Sequence, residues 1–356
     1  MIPSLHVASE TNFDTLGLGG LADAISCTVT EERNGEYELE MEYPVNGIHF
    51  NDLAVDRIIV APNNDKDHGQ PFRIYFIRPA ISGRVTVLAN HISYQLSYIP
   101  CKAFSATGLQ AALDGLVSNA VKVPMPFTLE ADFSSSATYT QVLPQSIRAC
   151  LGGADGSILD VFGGEFEFDR YAVRLHKSRG YDNHVVIAYG KNLMNYEQET
   201  NISNLLTGIY PYYCKDDSLL VLPEGIVTVT HSCSYPRIKV VDLSDQFEEL
   251  PTISQLRTAA QSYINNNQLT VPRVSIKASF CPLWQTEEFK DIAPLEHVRL
   301  CDTVIVQYPT LGVEAKAKVI KEVYNVLEGR YDSIELGDAR QTLDVMIASL
   351  LKGGRK

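Results

Sequence analysis

Residues 294–336 read PLEHVRLCDTVIVQYPTLGVEAKAKVIKEVYNVLEGRYDSIEL, and this stretch decides the fold class. Val298, Leu300, Val304 and Val306 alternate with mostly polar neighbours, the period-2 pattern of a strand with one buried face. A turn over 309–312 follows. Val313, Ala315, Ala317 and Val319 then alternate with Glu314, Lys316 and Lys318, which gives a second strand. Gly329 closes another turn before a third strand over 331–336. Three strands with short connections make an antiparallel meander, the expected element of a small barrel or sandwich.

Outward from this stretch the chain remains mainly β. Over 1–103, Asn34-Gly35 sits between strands at 25–32 and 36–43 as a two-residue hairpin signal. Short strands follow at 56–61, 72–77 and 84–91. From Ser105 the period becomes helical: Leu109, Ala112, Leu113, Leu116, Val117 and Ala120 share a face, with Thr107 or Ser105 as N-cap. A helix over 145–151 stops at Gly152-Gly153, and strands are expected at 157–162, 165–168, 172–176 and 184–189. The segment 104–200 is therefore an α+β insert domain between β-rich ends.

Residues 201–293 form a strand-and-helix domain, with strands at 202–213, 219–222, 226–232, 238–242 and 274–280. Its helix opens on the capping-box pattern Thr252-Ile253-Ser254-Gln255. The segment 294–337 is a second β-barrel element expected to pack with strands from 201–250. A C-terminal helix occupies 338–356, with Leu343, Met346, Ile347 and Leu350 on one side.

The two β-rich ends repeat one another. Asp56-Arg57-Ile58-Ile59-Val60 matches Asp302-Thr303-Val304-Ile305-Val306 at an offset of 246, and Gly83-Arg84 matches Gly329-Arg330 at the same offset. Ile74 with Ile320 and Ile77 with Val323 keep that register. A duplicated element brings two similar β-barrel domains into one chain and pseudo-symmetry into an assembly.

Bulk properties narrow the function. The 356 residues are 45% hydrophobic and 21% charged, as in packed globular chains, and suffice for several domains. A net charge of −13 argues against a nucleic-acid-binding surface, although a channel through which DNA slides unheld is compatible with it. No run of about eighteen apolar residues offers a membrane span, and the first residues lack a secretory signal, so folding in a cytoplasm is expected. The seven cysteines are scattered without a C-x-x-C pair, which favours buried thiols over zinc or disulfides.

The usual metalloprotease, hydrolase and phosphate-loop motifs are missing. His176, Asp182 and His184 around one turn, and His231 beside Cys233, are the nearest approaches to a metal or acid–base cluster. A hairpin tip and a plain strand are the simpler readings of these two. Glu36, Glu38, Glu40 and Glu42 alternate with Tyr37, Leu39, Met41 and Tyr43. As a strand this buries the apolar set and presents four carboxylates about 7 Å apart, either a solvated outer face or an acidic wall of a channel or interface.

The runs 35–44 (GEYELEMEYP), 56–60 (DRIIV), 71–75 (PFRIY) and 91–96 (HISYQL) resemble the N-terminal region of phage tail-tip hub proteins. These are also called tail-associated or prophage endopeptidase tail proteins. The closing run 319–338 (VIKEVYNVLEGRYDSIELGD) resembles the end of that region. The resemblance implies a homotrimeric baseplate hub whose two barrel domains per subunit make six similar units around a central channel. It implies a distal tail protein or tail tube hexamer, a tape measure protein, and tail fibre or receptor-binding proteins as partners. DNA passes without specific binding, no cofactor or metal is implied, and the place is the virion tail tip after assembly in the host cytoplasm.

Family members often continue into a peptidoglycan hydrolase or receptor-binding region. This chain stops at Lys356, so a structural protein rather than an enzyme is expected. Two other classes stay open. One is a cell-wall peptidoglycan endopeptidase working through His231 and Cys233; the other is a receptor- or carbohydrate-binding protein using Trp284, Tyr210, Tyr212 and Tyr213.

Overall fold

The computed structural model describes residues 2–64, 69–121, 125–153, 155–188, 191, 193–201, 206–215, 218–229, 235–247, 249–266, 273–280, 297–308 and 313–337. The fold is mostly β, with 44% strand and 17% helix. Two compact units form: Met1–Glu197 with Ile276–Lys356, and Gln198–Ser275. The expected helix over 338–356, His231 with Cys233, and Trp284 all lie outside the described residues.

The repeat is a five-stranded element, larger than the three strands legible in sequence. Its first copy has strands Ser26–Glu32, Tyr37–Pro44, Ile58–Ala61, Gln70–Pro79 and Arg84–His91, arranged in the sheet as first, second, fifth, fourth, third. Its second copy has Leu193–Asn201, Arg273–Phe280, Thr303–Tyr308, Val313–Asn325 and Arg330–Gly337 in that same order. The unit Gln198–Ser275 is thus inserted between the first two strands of the second copy, where the first copy has a four-residue turn.

Backbone details repeat as well. Asp56 and Cys301 both take a left-handed φ, +69° and +71°. Asp56 N–H donates to Ile74 O and Ile74 N–H to Arg57 O, while Cys301 N–H donates to Val319 O and Val319 N–H to Asp302 O. A β-bulge falls next, between Ile74 and Phe76 in one copy and between Val319 and Lys321 in the other. A bulge adds one residue and bends its strand, so the two copies bend at matching positions, and the second copy has a further register shift between Val323 and Tyr324. The offset is 245 through these strands (301 − 56, 319 − 74) and 247 in the last strand, where Ala89 faces Ile74 and Leu336 faces Val319. Gly83 and Gly329 turn between them at φ +79° and +66°.

The copies join edge to edge. Val313–Asn325 pairs with Thr303–Tyr308 through its first half and with Ser26–Glu32 through its second, Lys321 opposite Glu32 and Asn325 opposite Thr28. The sheet is extended rather than closed on itself by this pairing, and no closed barrel is found among the described residues. The strand partners of the 294–337 element are Ser26–Glu32, Arg273–Phe280 through Arg330–Gly337 and, through Thr303–Tyr308, Asp182–Ala188, in place of the expected strands from 201–250.

The insert packs on the first copy through one apolar cluster. Leu109, Ala112, Leu113 and Leu116 of the helix Leu109–Ser118 meet Ile58, Ile92, Leu96, Tyr139, Phe166 and Leu175. Residues Phe104–Thr107 pair with Thr138–Gln141, so Gly108 and not Thr107 or Ser105 precedes that helix. The expected strand at 157–162 is instead a short helix, Ile158–Phe162, because the Ser157 hydroxyl accepts from Asp160 N–H at its N-terminus. The Asn34-Gly35 turn spans residues 33–36, with Asn34 at φ +56°.

The smaller unit is built on Gly208–Lys215, which pairs with Ser218–Val221, Val227–Thr228 and, in parallel, Ile238–Asp242. Leu256, Ala260 and Ile264 of the helix Ile253–Asn266 cover its Ile209, Tyr213 and Val241. The capping box forms as expected: Gln255 N–H donates to the Thr252 hydroxyl and Thr252 N–H to Gln255 Oε1.

Candidate functional site on the polar sheet face

Strand Tyr37–Pro44 alternates as its sequence requires, with Tyr37, Leu39, Met41 and Tyr43 buried and Glu38, Glu40 and Glu42 on the other face. Glu36 precedes the strand. The register sets Glu40 between Thr28 and Leu88, and Glu38 between Thr30 and Asn90. Thr30 and Asn90 therefore flank Glu38 with polar side chains, whereas Glu40 has a hydroxyl on one side and an apolar side chain on the other.

The wall is less bare than its sequence suggests. Glu36 Oε2 accepts from Lys321 Nζ of the second repeat at 2.7 Å, Glu38 Oε1 from the Tyr94 hydroxyl at 3.2 Å, and Glu42 Oε2 from Arg84 at 3.1 Å. Glu40 is the most exposed of the four. Burial pushes the Glu38 carboxyl above its ordinary range, and the charge of Glu36 adds to that. The Tyr75 phenol on strand Gln70–Pro79 is raised by burial and then by Glu38, Glu36 and Glu40, so it lies in their field. An open sheet face cannot exclude water from a reacting group, and these carboxylates form no enclosed acid–base pair.

Behind the face lies a buried ionic node that sequence reasoning missed. Arg179 of the insert donates to Glu31 Oε1 at 2.7 Å, and Arg33 donates to Glu165 Oε1 at 3.0 Å. Lys318 of the second repeat also reaches Glu165, and Arg179 N–H donates to its Oε2. Glu322 accepts from Leu300 N–H at 2.8 Å, and burial, reinforced by Glu31, pushes its carboxyl up to about 8. The signal was present: Glu31 follows Cys27 and Val29 on the buried parity of its strand. A charge on that parity must find partners.

The other candidates disperse. His176 bridges Asp132 and Glu167 at 2.8 and 2.9 Å, whereas Asp182 pairs with Lys316. Burial pushes the Cys27 and Cys301 thiols up to about 12 and Cys101 to about 11, which keeps these three protonated at neutral pH. Among the described residues no group of three or more His, Cys, Asp or Glu is arranged to hold a metal, and no helix is long and apolar enough to cross a membrane. Tyr213 is buried under the helix Ile253–Asn266, while Tyr210 and Tyr212 lie half-buried on the opposite face of the same sheet.

Comparison with known proteins bears out the resemblance to tail-associated proteins. Residues 181–346 match the family model described as prophage endopeptidase tail. That span holds the closing run 319–338; the runs at 35–96 lie outside it. The prophage tail protein gp18 of Listeria monocytogenes EGD-e has the same fold, with a TM-score of 0.63 at 13% identity over 99% of both chains. A tail protein of Neisseria meningitidis MC58 gives 0.61 at 9% identity, covering 96% of this chain and 98% of its own. A tail protein of prophage MuSo2 from Shewanella oneidensis gives 0.65 at 9% identity, covering 96% and 99%. No curated protein matches by sequence.

Proposed function

We propose that this chain is a structural hub of a phage or prophage-derived tail, with three copies forming a ring that joins the tail tube or distal tail protein to the tail tip. The observation that carries this reading is the five-stranded duplication with matching bulges. Three chains with two such repeats supply six similar units, the number needed to meet a hexameric ring, and each repeat acts as a small barrel-like domain within it. The faces bearing Glu36, Glu38, Glu40 and Glu42 line a channel that the hub gates for DNA ejection. The exposed Glu40 carboxylate there keeps DNA from adhering, and a tape measure protein shares the passage. Tail fibre or receptor-binding proteins attach below, and the assembled hub sits at the virion tail tip.

The chain acts in this reading without enzymatic activity. A muralytic assay on purified protein tests that directly: no release of peptidoglycan fragments is expected. Hydrolysis abolished by His231→Ala or Cys233→Ala would establish the endopeptidase reading instead. Mass measurement by light scattering, alone and with the cognate tube or distal tail protein, tests the ring. A three-chain particle is expected, and a single chain under every condition would contradict it.

A further inference from the structure

The intramolecular joint between the repeats is a template for a joint between chains. In the second repeat, the half-strand after the bulge, Lys321–Asn325, takes up Thr28–Glu32, the first strand of the first repeat. Arg33 N–H donates to Ile320 O at one end of this ladder and Val326 N–H to Cys27 O at the other. At the offset of 245, the equivalent half-strand of the first repeat is 76–80.

Among the described residues that half-strand is open. Gln70–Pro79 pairs with Ile58–Ala61 only over residues 70–73, and beyond the bulge its ladder is with Arg84–His91 alone. Ala80 N–H donates to Arg84 O, so residues 76, 78 and 80 direct their backbone groups at Arg84–His91 and residue 77 directs its own outward. Tyr75 and Phe76 are 50% and 40% exposed. At the opposite end of the sheet stands Leu193–Asn201, the first strand of the second repeat, equivalent to the strand that Lys321–Asn325 takes up.

We infer that the open edge over residues 75–79 takes up the Leu193–Asn201 strand of a second copy of this chain, as Lys321–Asn325 takes up Thr28–Glu32 within one chain. The inference rests on the ring reading above and supplies its subunit interface. Each chain offers one edge and one strand, so the contact is head-to-tail, and its repetition makes six equivalent joints, three inside chains and three between them. Pro79 has no N–H to donate, which ends the intermolecular ladder one residue short of its template. An uncovered edge strand is otherwise a liability for aggregation, and a specific partner removes it.

Disulfide trapping tests the interface. In the template Val323 stands opposite Thr30, and residue 78 is the equivalent of 323. Chains carrying Arg78→Cys together with Tyr196→Cys, Glu197→Cys or Gln198→Cys are oxidised as assembled particles and run without reductant. One of the three pairs is expected to give covalent two- and three-chain species that reduction removes and single-cysteine chains lack. Ile77→Pro, which deletes the outward donor while leaving the ladder to Arg84–His91 intact, is expected to weaken assembly about tenfold or more with an unchanged thermal unfolding profile. A three-chain particle that yields no cross-link with any pair and forms normally with Ile77→Pro overturns this interface and leaves the ring standing. A particle of one chain under all conditions overturns the ring itself.

Discussion

Glu322 is a carboxylic acid at neutral pH because burial in the ionic node, next to Glu31, pushes it up to about 8. The unfolded chain loses this proton near the ordinary value of 4.5. Between those values the folded state binds the extra proton, so the group withdraws stability as pH rises from about 4.5 to about 8. Glu322→Gln keeps the shape and removes the proton. Urea titrations should show the variant gaining stability relative to the parent across that window, with a flat difference below it; a difference that is flat throughout would contradict the buried acid. Arg148 is a further buried ionisable group, stacked on Tyr94 and Phe168 and donating to Ser93 Oγ and Gly35 O. Arg148→Ala strips these contacts from the seam between insert and sheet, and should cost about 2–4 kcal/mol in the same titration.

At the scale of elements, local chemistry decides what the sequence makes legible. The capping box at Thr252 and Gln255 was readable because both halves lie within four residues. Thr252→Ala should lower the stability of the Gln198–Ser275 unit by about 1 kcal/mol, seen as earlier hydrogen exchange in the helix Ile253–Asn266. The acidic strand was readable from its alternation, but its neutralising partners were not. Lys321 lies 285 residues from Glu36 and Tyr94 lies 56 from Glu38, and only the sheet order brings them together. Ser157 misled for a related reason: a short apolar run fits strand and helix alike, and its hydroxyl settles the choice.

The duplication was legible at an offset of 246 because Gly83-Arg84 and Gly329-Arg330 stand at equivalent turns. Its true extent was hidden. The first two strands of the second copy are parted by the whole Gln198–Ser275 unit, and the offset changes from 245 to 247 across the turn. Barrel closure was expected from consecutive strands, yet pairing between repeats extends the sheet instead. For the whole molecule, an acidic lining predicts that Glu40→Lys, the most exposed of the four changes, should slow DNA passage from reconstituted particles while leaving assembly mass unchanged. Particles that eject at the parental rate would argue for a purely solvated face.

In the proposed hub, three chains make six similar units around a channel. Cryo-electron microscopy of the assembled tail tip tests it most directly. The expected result is a ring with near-sixfold sheet order, residues 75–79 of one chain beside Leu193–Asn201 of the next, and Glu40 facing the lumen. A ring without that repeat, or one with the Glu40 face turned to the outside, would contradict it.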